Sequence, residues 1–472
     1  MITVSKFVGR ERQLNSLEEE LDKEGPSLVM IYGRRRVGKS RLIVEAIKNR
    51  RAVYFQAQQA TDGVNQENFK QDVSEELNEE FAEIVEGMSG WENIFKIIKQ
   101  STGEEPSESL TVVLDEFPYL CESNSSLPSV FQKIWDEIDR KGLNLNLIIC
   151  GSQIAFMEEI LSPKNPLYDS HTKKLNLQPM PYREMAKFFP NWTAQEIMYG
   201  FGVLGGIPHY SSLCDPEDSL RDNIIRLVLK EDSPLKEEPE QILQGELRQI
   251  NRYSTVLRAI ANGNTQWGKI LNQVDFEGNQ LPGYMKKLEE LHLVFGRSSL
   301  EIENPEKKRN RRYYIQDPFF IFWFRFVSPH LSTINEGLGE QVYSEAIAPE
   351  INQYMGPLFE EIAIQWAKNY SEEKLGTAAG EVGQIWTGDF DIDVAGTLLN
   401  GEEFYGECKW WKEPVGKNVL ESLEENINKT TYGKKSAPKH RLLFSRSGFT
   451  KELEEQAQKN KDLHLLTPEE LI

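Results

Sequence analysis

The first 180 residues alternate between short apolar runs and stretches with helical periodicity. Apolar runs at 27–32, 111–114 and 145–150 are typical of strands buried in a parallel sheet, because both faces of such strands are covered. Each run ends in small or polar residues, where a parallel sheet places its loops. The pattern therefore predicts an α/β domain over residues 1–180.

The pattern changes after Pro179 and Pro181 and stays helical to about residue 240. A Gly-Gly-Ile-Pro-His-Tyr segment at 205–210 interrupts it. We expect residues 181–243 to form a helical lid beside the first domain.

Residues 244–335 have a third pattern, in which three short amphipathic helices precede a β-hairpin with a basic tip. The helices are predicted at 253–261, 267–274 and 284–292. This order is typical of a winged helix, which serves in some proteins as a DNA reader and in others as a protein spacer. The aromatic run at 319–327 predicts a buried helix that joins this module to the next.

Residues 336–472 predict a small α/β domain with two alternating strands around the turn Leu399-Asn-Gly401. A two-residue loop would place Asp393 opposite Cys408. A three-residue loop with Gly401 in the left-handed conformation places Asp393 opposite Glu407 instead. The second register collects the apolar side chains on one face, so the pattern favours it.

The strand at 27–32 runs into Gly-x-x-x-x-Gly-Lys-Ser, a loop whose backbone N–H groups cradle nucleotide phosphates. Lys39 is expected to reach the β- and γ-phosphate oxygens, and Ser40 to ligate Mg²⁺. The residues expected to contact the nucleotide here are Gly33, Arg34, Arg35, Arg36, Val37, Gly38, Lys39, Ser40 and Arg41.

Acidic residues follow the second apolar run, and a polar residue follows the third. Asp115 is expected to hold Mg²⁺ through water. Glu116 is placed to orient and activate the water that attacks the γ-phosphate, which distinguishes a hydrolase from a nucleotide-binding switch. Ser152 is a candidate sensor of the γ-phosphate.

The favoured hairpin register places carboxylates opposite each other at Asp393 and Glu407, which repel unless a cation lies between them. Hard oxygen ligands favour Mg²⁺ or Mn²⁺. Lys409 lies on the same face and could orient a water for attack on a phosphodiester. The alternative is a surface ladder of salt bridges, for example between Asp391 and Lys409.

Composition restricts the partners. The formal net charge of −20 argues against a surface that binds nucleic acid throughout, so DNA contact would come from local basic patches at 307–312 and at 434–435 with 439–441. The four cysteines have neither metal-ligand nor disulfide spacing, and no secretory signal or bilayer-spanning run is evident. We expect a cytoplasmic protein with no membrane partner, and the sequence does not indicate an oligomer.

Several motifs together resemble one family, the prokaryotic AAA-type ATPases that are abundant in archaea and whose C-terminal domain is similar to restriction-endonuclease-like PD-(D/E)XK nucleases. The resemblance extends over nearly the whole chain. Its motifs lie at 7–11, 33–40, 114–119, 149–152, 205–208, 314–323, 359–360, 391–393, 406–409 and 444–449.

The resemblance implies ATP as the nucleotide, with Pro208 packed near the adenine. It also implies that Asp393, Glu407 and Lys409 form the nuclease-fold triad, with Glu360 as a further acid. The resemblance thus favours a metal site over a salt-bridge ladder in the C-terminal hairpin.

One segment departs from the family pattern. After Pro166-Leu-Tyr168, where relatives usually have Gly and Arg, this chain has Asp-Ser-His-Thr and then Lys173. A transition-state arginine is therefore missing at this place, and its role is vacant or passes to Lys173 or Lys174.

The sequence predicts an ATP-binding, ATP-hydrolysing AAA-type switch or motor coupled to a nuclease-like domain that acts on nucleic acid. The alternative is a non-catalytic ATP-dependent regulator or DNA-binding protein with an inactive nuclease fold.

Overall fold

The computed structural model describes residues 7–77, 79–102, 109–302, 307, 310–433 and 438–472. The chain divides into two compact units. The first comprises residues up to Met180 together with Ile207–His209, and the second comprises Pro181–Gly206 and Tyr210–Ile472.

The first unit alternates strands and helices as the sequence predicts. Its elements are α1 (Glu11–Asp22), β1 (Leu28–Tyr32), α2 (Lys39–Ile47), β2 (Ala52–Gln56), α3 (Asp62–Glu76), α4 (Glu79–Glu86), α5 (Trp91–Ser101), β3 (Leu110–Asp115), α6 (Phe117–Ser123), α7 (Leu127–Lys141), β4 (Leu145–Gly151), α8 (Ile154–Ile160) and β5 (Lys173–Asn176).

These strands form one parallel sheet in the order β2-β3-β4-β1-β5, five strands within the described residues. Every residue of β1, β3 and β4 is buried, because helices cover both faces. The predicted α/β fold is therefore confirmed. The order places β1, β3 and β4 side by side, so the segments that follow them meet at one edge of the sheet.

The second unit begins with helices over the region predicted as a lid and then continues into the module with the hairpin. The elements are α9 (Tyr182–Ala186), α10 (Ala194–Leu204), α11 (Pro208–Ser212), α12 (Leu220–Val228), α13 (Glu238–Glu246), α14 (Ile250–Ala261), α15 (Trp267–Leu271), α16 (Leu281–Glu290), β6 (Val294–Ser298) and β7 (Arg311–Ile315). Helix α11 begins at the end of the first unit, and its last residues belong to the second.

Three helices followed by an antiparallel hairpin lie where the sequence predicts them. Helix α14 begins three residues earlier than predicted, α15 ends three residues earlier, and α16 is shifted toward the N-terminus. A bridge between Gln266 and Arg312 extends the hairpin by one pairing. These elements have the order expected of a winged helix, and that assignment stays a prediction.

The aromatic run forms a buried helix, as predicted. Helix α17 (Pro318–Phe322) continues as a π-helical turn at Trp323–Val327. The aromatic side chains of the run are all buried, and the Trp323 indole N–H donates to the Lys236 carbonyl at 2.6 Å. The run therefore forms core.

The C-terminal part of the second unit consists of helices around a mixed sheet. Its elements are 3₁₀ turn Ser328–His330, α18 (Leu331–Asn335), α19 (Gly339–Val342), π-helical turn Tyr343–Ile347, α20 (Ile351–Tyr370), α21 (Glu372–Leu375), β8 (Ala379–Trp386), β9 (Asp391–Leu398), β10 (Glu403–Lys409), α22 (Lys417–Lys429), β11 (Lys439–Ser445), α23 (Lys451–Lys459), β12 (Leu463–Leu466) and α24 (Pro468–Leu471). The sheet order is β12-β11-β10-β9-β8.

The β9–β10 hairpin has the predicted register. Phe404 pairs with Gly396, and Gly406 with Val394. The turn has Gly401 at φ +88°, the left-handed conformation that a three-residue loop requires. The apolar face of the hairpin is buried, and Asp393 lies at the position opposite Glu407 by continuation of the same register.

Candidate functional sites

The phosphate loop connects β1 to α2 and depends on two glycines with positive φ. Gly33 has φ +151°, and a Cβ at this position would lie 2.3 Å from the Leu177 carbonyl oxygen. Gly38 has φ +96° and caps α2, where the free N–H groups of the helix point back over the loop. The backbone is thus shaped for an anion before any side chain contributes.

Lys39 and the arginines give the loop a positive charge. The Lys39 side chain is buried and donates to the Gly33 carbonyl at 2.8 Å and the Arg34 carbonyl at 3.1 Å. Arg35 is exposed, and Arg36 is half-buried with φ +67°. The Lys39 ammonium therefore lies directly against the loop.

The rest of the predicted nucleotide contacts lie around this loop. Val37 is buried, and its carbonyl accepts a hydrogen bond of 2.8 Å from Arg10. Arg41 is half-buried in the first turn of α2. Pro208 lies beside the loop, since its Cγ is 3.7 Å from the position of a Cβ on Gly38. The sequence analysis assigned no role to Arg10, although it lies within the motif at 7–11.

Asp115 is the centre of a hydrogen-bonded cluster at the end of β3. Its Oδ2 accepts from the Ser40 hydroxyl at 2.7 Å and from the Tyr54 hydroxyl at 2.5 Å, and its Oδ1 accepts from the Glu116 N–H at 2.9 Å. Burial, followed by the Asp115 charge, raises the pKa of the Tyr54 phenol. The phenol therefore stays protonated and donates.

Tyr54 was missed by the sequence analysis. It lies on β2, which pairs with β3 in the register that aligns Tyr54 with Val113. The Tyr54 hydroxyl reaches Asp115 because β2 and β3 are neighbours in the sheet. No local sequence motif identifies Tyr54 as part of the site.

Glu116 has φ +54° at the start of α6, a strained backbone for a residue other than glycine. Its Oε2 accepts from the Ser152 hydroxyl at 2.7 Å and from the Ser152 N–H at 3.2 Å. Strained residues are frequent at functional sites because surrounding contacts must hold them in place. The structure thus brings together Glu116, predicted to activate water, and Ser152, predicted to sense the γ-phosphate.

The oxygens at Ser40 and Asp115 fit a magnesium ion. Mg²⁺ in nucleotide sites is usually held by one or two side-chain oxygens, with water and phosphate oxygens completing its shell. The Ser40 hydroxyl and the Asp115 carboxylate converge within hydrogen-bond distance. Two hard oxygens therefore meet where the phosphate-loop motif and the acidic end of β3 predict the metal.

The second candidate site is an acidic cluster in the second unit, formed by Glu360 on α20, Asp393 on β9, and Glu407 and Lys409 on β10. The Asp393 Oδ2 accepts the Cys408 N–H at 2.9 Å. The Lys409 ammonium donates to Glu407 and lies 5.5 Å from the ring centroid of the exposed Trp411. The cluster contains every residue that the resemblance implies for the nuclease triad.

The carboxylates of the cluster disfavour one another's charges. Burial, followed by the Glu407 charge, raises the pKa of Asp393 to about 7. Burial and the Asp393 charge raise the pKa of Glu360 well above its usual range, and burial raises the pKa of Glu407 while Lys409 opposes that rise. A cation placed among these groups would relieve the repulsion.

Lys409 does not pair with Asp391, the salt bridge that the sequence analysis gave as an example of a ladder. Lys409 pairs with Glu407 on its own strand, because residues two apart on a strand share a face. Among the described residues, no three acidic, histidine or cysteine side chains are arranged to hold a metal ion. Asp393 and Glu407 would therefore supply two ligands, and water or phosphate oxygens the others, which suits Mg²⁺ or Mn²⁺.

The sequence analysis also missed Gln384, which contacts the cluster, and Arg297, which contacts Gln384. Gln384 on β8 donates to the Glu360 Oε2 at 3.0 Å, and Arg297 on β6 donates to the Gln384 Oε1 at 2.7 Å. Arg297 comes from a hairpin that is distant in sequence from the triad, whereas Gln384 lies on β8, the strand that directly precedes β9.

The basic patches are only partly within the described residues. Lys308, Arg309, Lys434 and Lys435 lie outside them. Lys307 is exposed. Other members make contacts within the unit: Arg312 stacks on Trp386 at 4.4 Å, and Arg441 pairs with Glu424 at 2.8 Å.

The four cysteines are free thiols. In the parts of the chain that the structure describes, no helix combines the length and the apolar character needed to cross a bilayer.

Two family models match the chain. An ATPase domain found predominantly in Archaea matches residues 7–210, and a family of archaeal and bacterial proteins of unknown function matches residues 323–426. Each matched region contains one of the two candidate sites.

Known proteins of archaea are similar to this chain. The uncharacterized protein MJECL04 of Methanocaldococcus jannaschii is 32% identical over 408 residues, which cover 86% of this chain and 87% of that protein. Among solved structures, the Walker-type ATPase of Pyrococcus abyssi is 20% identical, covering 68% of this chain and 96% of its own, with a TM-score of 0.49. The ORC2 protein of Aeropyrum pernix is 14% identical, covering 72% and 96%, with a TM-score of 0.44.

The relative from Methanocaldococcus is more than 30% identical over most of both chains, and the two family models match one region each. The chain belongs to the archaeal ATPase family that joins this ATPase domain to a C-terminal domain of unknown function.

Proposed function

We propose that the first unit binds ATP with Mg²⁺ and hydrolyses it, with Glu116 as the residue that orients and activates the attacking water. The chain carries an ATPase domain, and its phosphate loop lies within the matched residues. The observation that carries the proposal is the pair Asp115 and Glu116, one at the end of β3 and the other directly after it. Of these, Asp115 bonds to Ser40 and Glu116 to Ser152.

The contacts of these side chains indicate a separate role for each of them in ATP hydrolysis. Magnesium, when bound, neutralises phosphate charge, and Ser40 and Asp115 are the residues that would hold it. The N–H groups of the loop and the Lys39 ammonium bind the phosphates. Glu116 is then free to accept a proton from water once the Ser152 hydroxyl turns to another acceptor, for which the γ-phosphate is suited.

The test is ATP turnover and ATP binding in the purified full-length protein. Lys39→Ala is expected to lose nucleotide binding. Glu116→Gln keeps the size of the side chain and is expected to lower turnover by about a hundredfold or more while binding persists. Wild-type protein that binds ATP without turning it over would refute hydrolysis and leave a nucleotide-dependent switch.

We propose further that the acidic cluster is a metal-dependent site that cleaves phosphodiesters in nucleic acid. The support is that the predicted register brings Asp393 opposite Glu407, with Lys409 paired to Glu407, and that the Asp393 charge raises the pKa of Glu360. A divalent ion held by Asp393 and Glu407 would supply Lewis acidity at the phosphate. The Lys409 ammonium would orient the attacking water and stabilise charge that develops on the phosphate.

DNA is the proposed polymer, bound through the basic patches that the sequence places at 307–312 and at 434–435 with 439–441. Lys307 is exposed, and such residues bind phosphates with release of counterions. Because Arg441 pairs with Glu424, the patches offer fewer free cations to phosphates, so we expect the dependence of DNA binding on salt to be shallow.

The test is incubation of single- and double-stranded DNA and RNA with the full-length protein and Mg²⁺ or Mn²⁺, with and without ATP. Cleavage is expected to vanish in Asp393→Ala and Lys409→Ala and to persist in Lys39→Ala when ATP is omitted. Cleavage that survives both triad substitutions would exclude the proposed site. Absence of cleavage, together with metal-independent DNA binding, would favour the alternative of a regulator with an inactive nuclease fold.

A further inference from the structure

An arginine of the β6–β7 hairpin, Arg297, contacts Gln384, which in turn contacts the acidic cluster. The Arg297 side chain is only 14% exposed. Its Nη1 donates to the Glu361 Oε1 at 2.5 Å and to the Gln384 Oε1 at 2.7 Å. Its Nη2 donates to the Glu361 Oε2 at 2.8 Å. A planar donor fork held in this way has little freedom to turn.

The contact with Arg297 determines which way the Gln384 amide points. An amide has one acceptor and one donor end, and the guanidinium can only donate. The oxygen of Gln384 must therefore face Arg297, which leaves its NH₂ group facing Glu360, where it donates to Oε2 at 3.0 Å. Gln384 is 4% exposed, so water has little access to replace either contact.

The hairpin and the sheet are joined by further contacts near this pair. The Leu300 N–H donates to the Gln384 carbonyl at 3.0 Å, and the Trp386 N–H donates to the Ser299 hydroxyl at 3.0 Å. Leu300 packs so closely on Gly383 that a Cβ there would lie 2.9 Å from the leucine side chain. The segment after β6 thus lies along β8, and movement of the hairpin would move Gln384.

We infer that Arg297 is a positioning residue for the acidic cluster, acting through Gln384 to set the carboxylate of Glu360 and thereby the affinity of the cluster for a divalent metal. This rests on the proposed metal site. The β6–β7 hairpin would then have two roles. Its tip would contact DNA, and Arg297 on β6 would order the acidic cluster. Outer contacts of this kind typically change metal affinity by about tenfold or more when removed.

The experiment is calorimetric titration of the full-length protein with Mn²⁺ alone. Arg297→Met is expected to weaken Mn²⁺ binding by about tenfold. Gln384→Met removes the amide but leaves the pair between Arg297 and Glu361, and is expected to weaken binding to a similar degree. The double variant is expected to be no weaker than either single variant, because both act on Glu360 by one route.

Arg183→Met is the matched control. Arg183 also forms a two-pronged pair with a glutamate in the second unit, at 2.6 and 2.9 Å to Glu373, and stacks on Tyr370. Its loss is expected to leave Mn²⁺ affinity unchanged. If Arg183→Met and Arg297→Met weaken binding equally, or if the effects of Arg297→Met and Gln384→Met simply add, the positioning role is wrong.

The failure of the two proposals can be told apart. Wild-type protein that takes up no Mn²⁺ refutes the metal site itself. Wild-type protein that binds Mn²⁺ with an affinity that Arg297→Met does not change refutes the positioning role and leaves the metal site standing. If Arg297→Met does not fold, Gln384→Met with the Arg183→Met control decides the question.

Discussion

The two candidate sites contain similar groups, carboxylates at or beside strands with a lysine close by, but different parts of the chain hold them in place. In the nucleotide site the loop from Gly33 to Ser40 is one continuous segment, and its backbone provides the shape. Asp115 is surrounded by donors, so its charge is satisfied within the protein. Such a site is organised before a ligand arrives.

The acidic cluster has the opposite character. Its groups come from α20, β9 and β10, and its carboxylates raise one another's pKa values. Lys409, the Cys408 N–H and the amide of Gln384 offset part of this repulsion. The comparison teaches that the first site is built by the backbone, whereas the second stores electrostatic strain that a cation would release.

The largest effect is expected from disturbing the backbone of the nucleotide site. Gly33→Ala should destabilise the first unit by about 3 kcal/mol, because its Cβ would collide with the Leu177 carbonyl at a positive φ. Urea denaturation of the full-length protein measures this change. Gly25→Ala is the control, since Gly25 has φ +88° but open space around it, and about 1 kcal/mol is expected there. Equal losses would mean that the close approach has no consequence.

The second prediction contrasts the two aspartates. Asp393→Asn removes a charge that its neighbours disfavour and retains an acceptor for the Cys408 N–H, so we expect about 2 kcal/mol of added stability at pH 8 in EDTA. Asp115→Asn should give no such gain, because its carboxylate accepts three hydrogen bonds. Denaturant midpoints in EDTA and in Mn²⁺ measure both. A loss of stability in Asp393→Asn would show that the cluster is not strained.

The third prediction concerns Tyr54, which fixes the Asp115 carboxylate. Tyr54→Phe removes one of the two hydroxyls on the Asp115 Oδ2. Loss of such an outer contact typically weakens metal binding by about tenfold, so we expect the Mg²⁺ concentration needed for half-maximal ATP turnover to rise by about that factor. Nucleotide binding without Mg²⁺ should be unchanged. Tyr168→Phe, at an exposed tyrosine of the same unit, is the control. An unchanged Mg²⁺ requirement would remove Tyr54 from the site.

Sequence reasoning succeeded where the information is local. The phosphate loop is contiguous, so its glycines and Lys39 could be identified without knowing the fold. The register of the C-terminal hairpin also followed from local alternation, because a slip of one residue would expose its apolar face.

Sequence reasoning failed where the contacts of a side chain depend on which strands and helices are neighbours in the fold. Tyr54 reaches Asp115 only because β2 lies next to β3, and Gln384 reaches Glu360 only because α20 packs against β8. Lys409 pairs with Glu407 because both lie on one face of β10. The sequence was compatible with this pair and equally with a pair between Lys409 and Asp391.

The smallest effect is expected at a histidine pair in the C-terminal sheet, where charge is again disfavoured but no metal is proposed. The His440 Nδ1 lies 3.1 Å from the His464 Nε2, and Glu402 lies 3.2 Å from the other nitrogen of His440. Burial, followed by the His440 charge, lowers the pKa of His464 to about 4, while Asp462 opposes this shift and Lys374 adds to it.

The unfolded chain binds a proton at His464 near pH 6.5, before the folded protein does, so the free energy of unfolding should fall as pH decreases from 6.5 toward 4. Because the ring is partly exposed, we expect a loss of only about 1 kcal/mol. His464→Gln should remove this component, so the difference in stability between wild type and variant should shrink by that amount between pH 7.5 and 4.5. Denaturant midpoints of both proteins at pH 7.5 and 4.5 measure this change. A stability difference that is the same at both pH values would show that the fold does not disfavour a charge on His464, in contrast to the carboxylates of the acidic cluster.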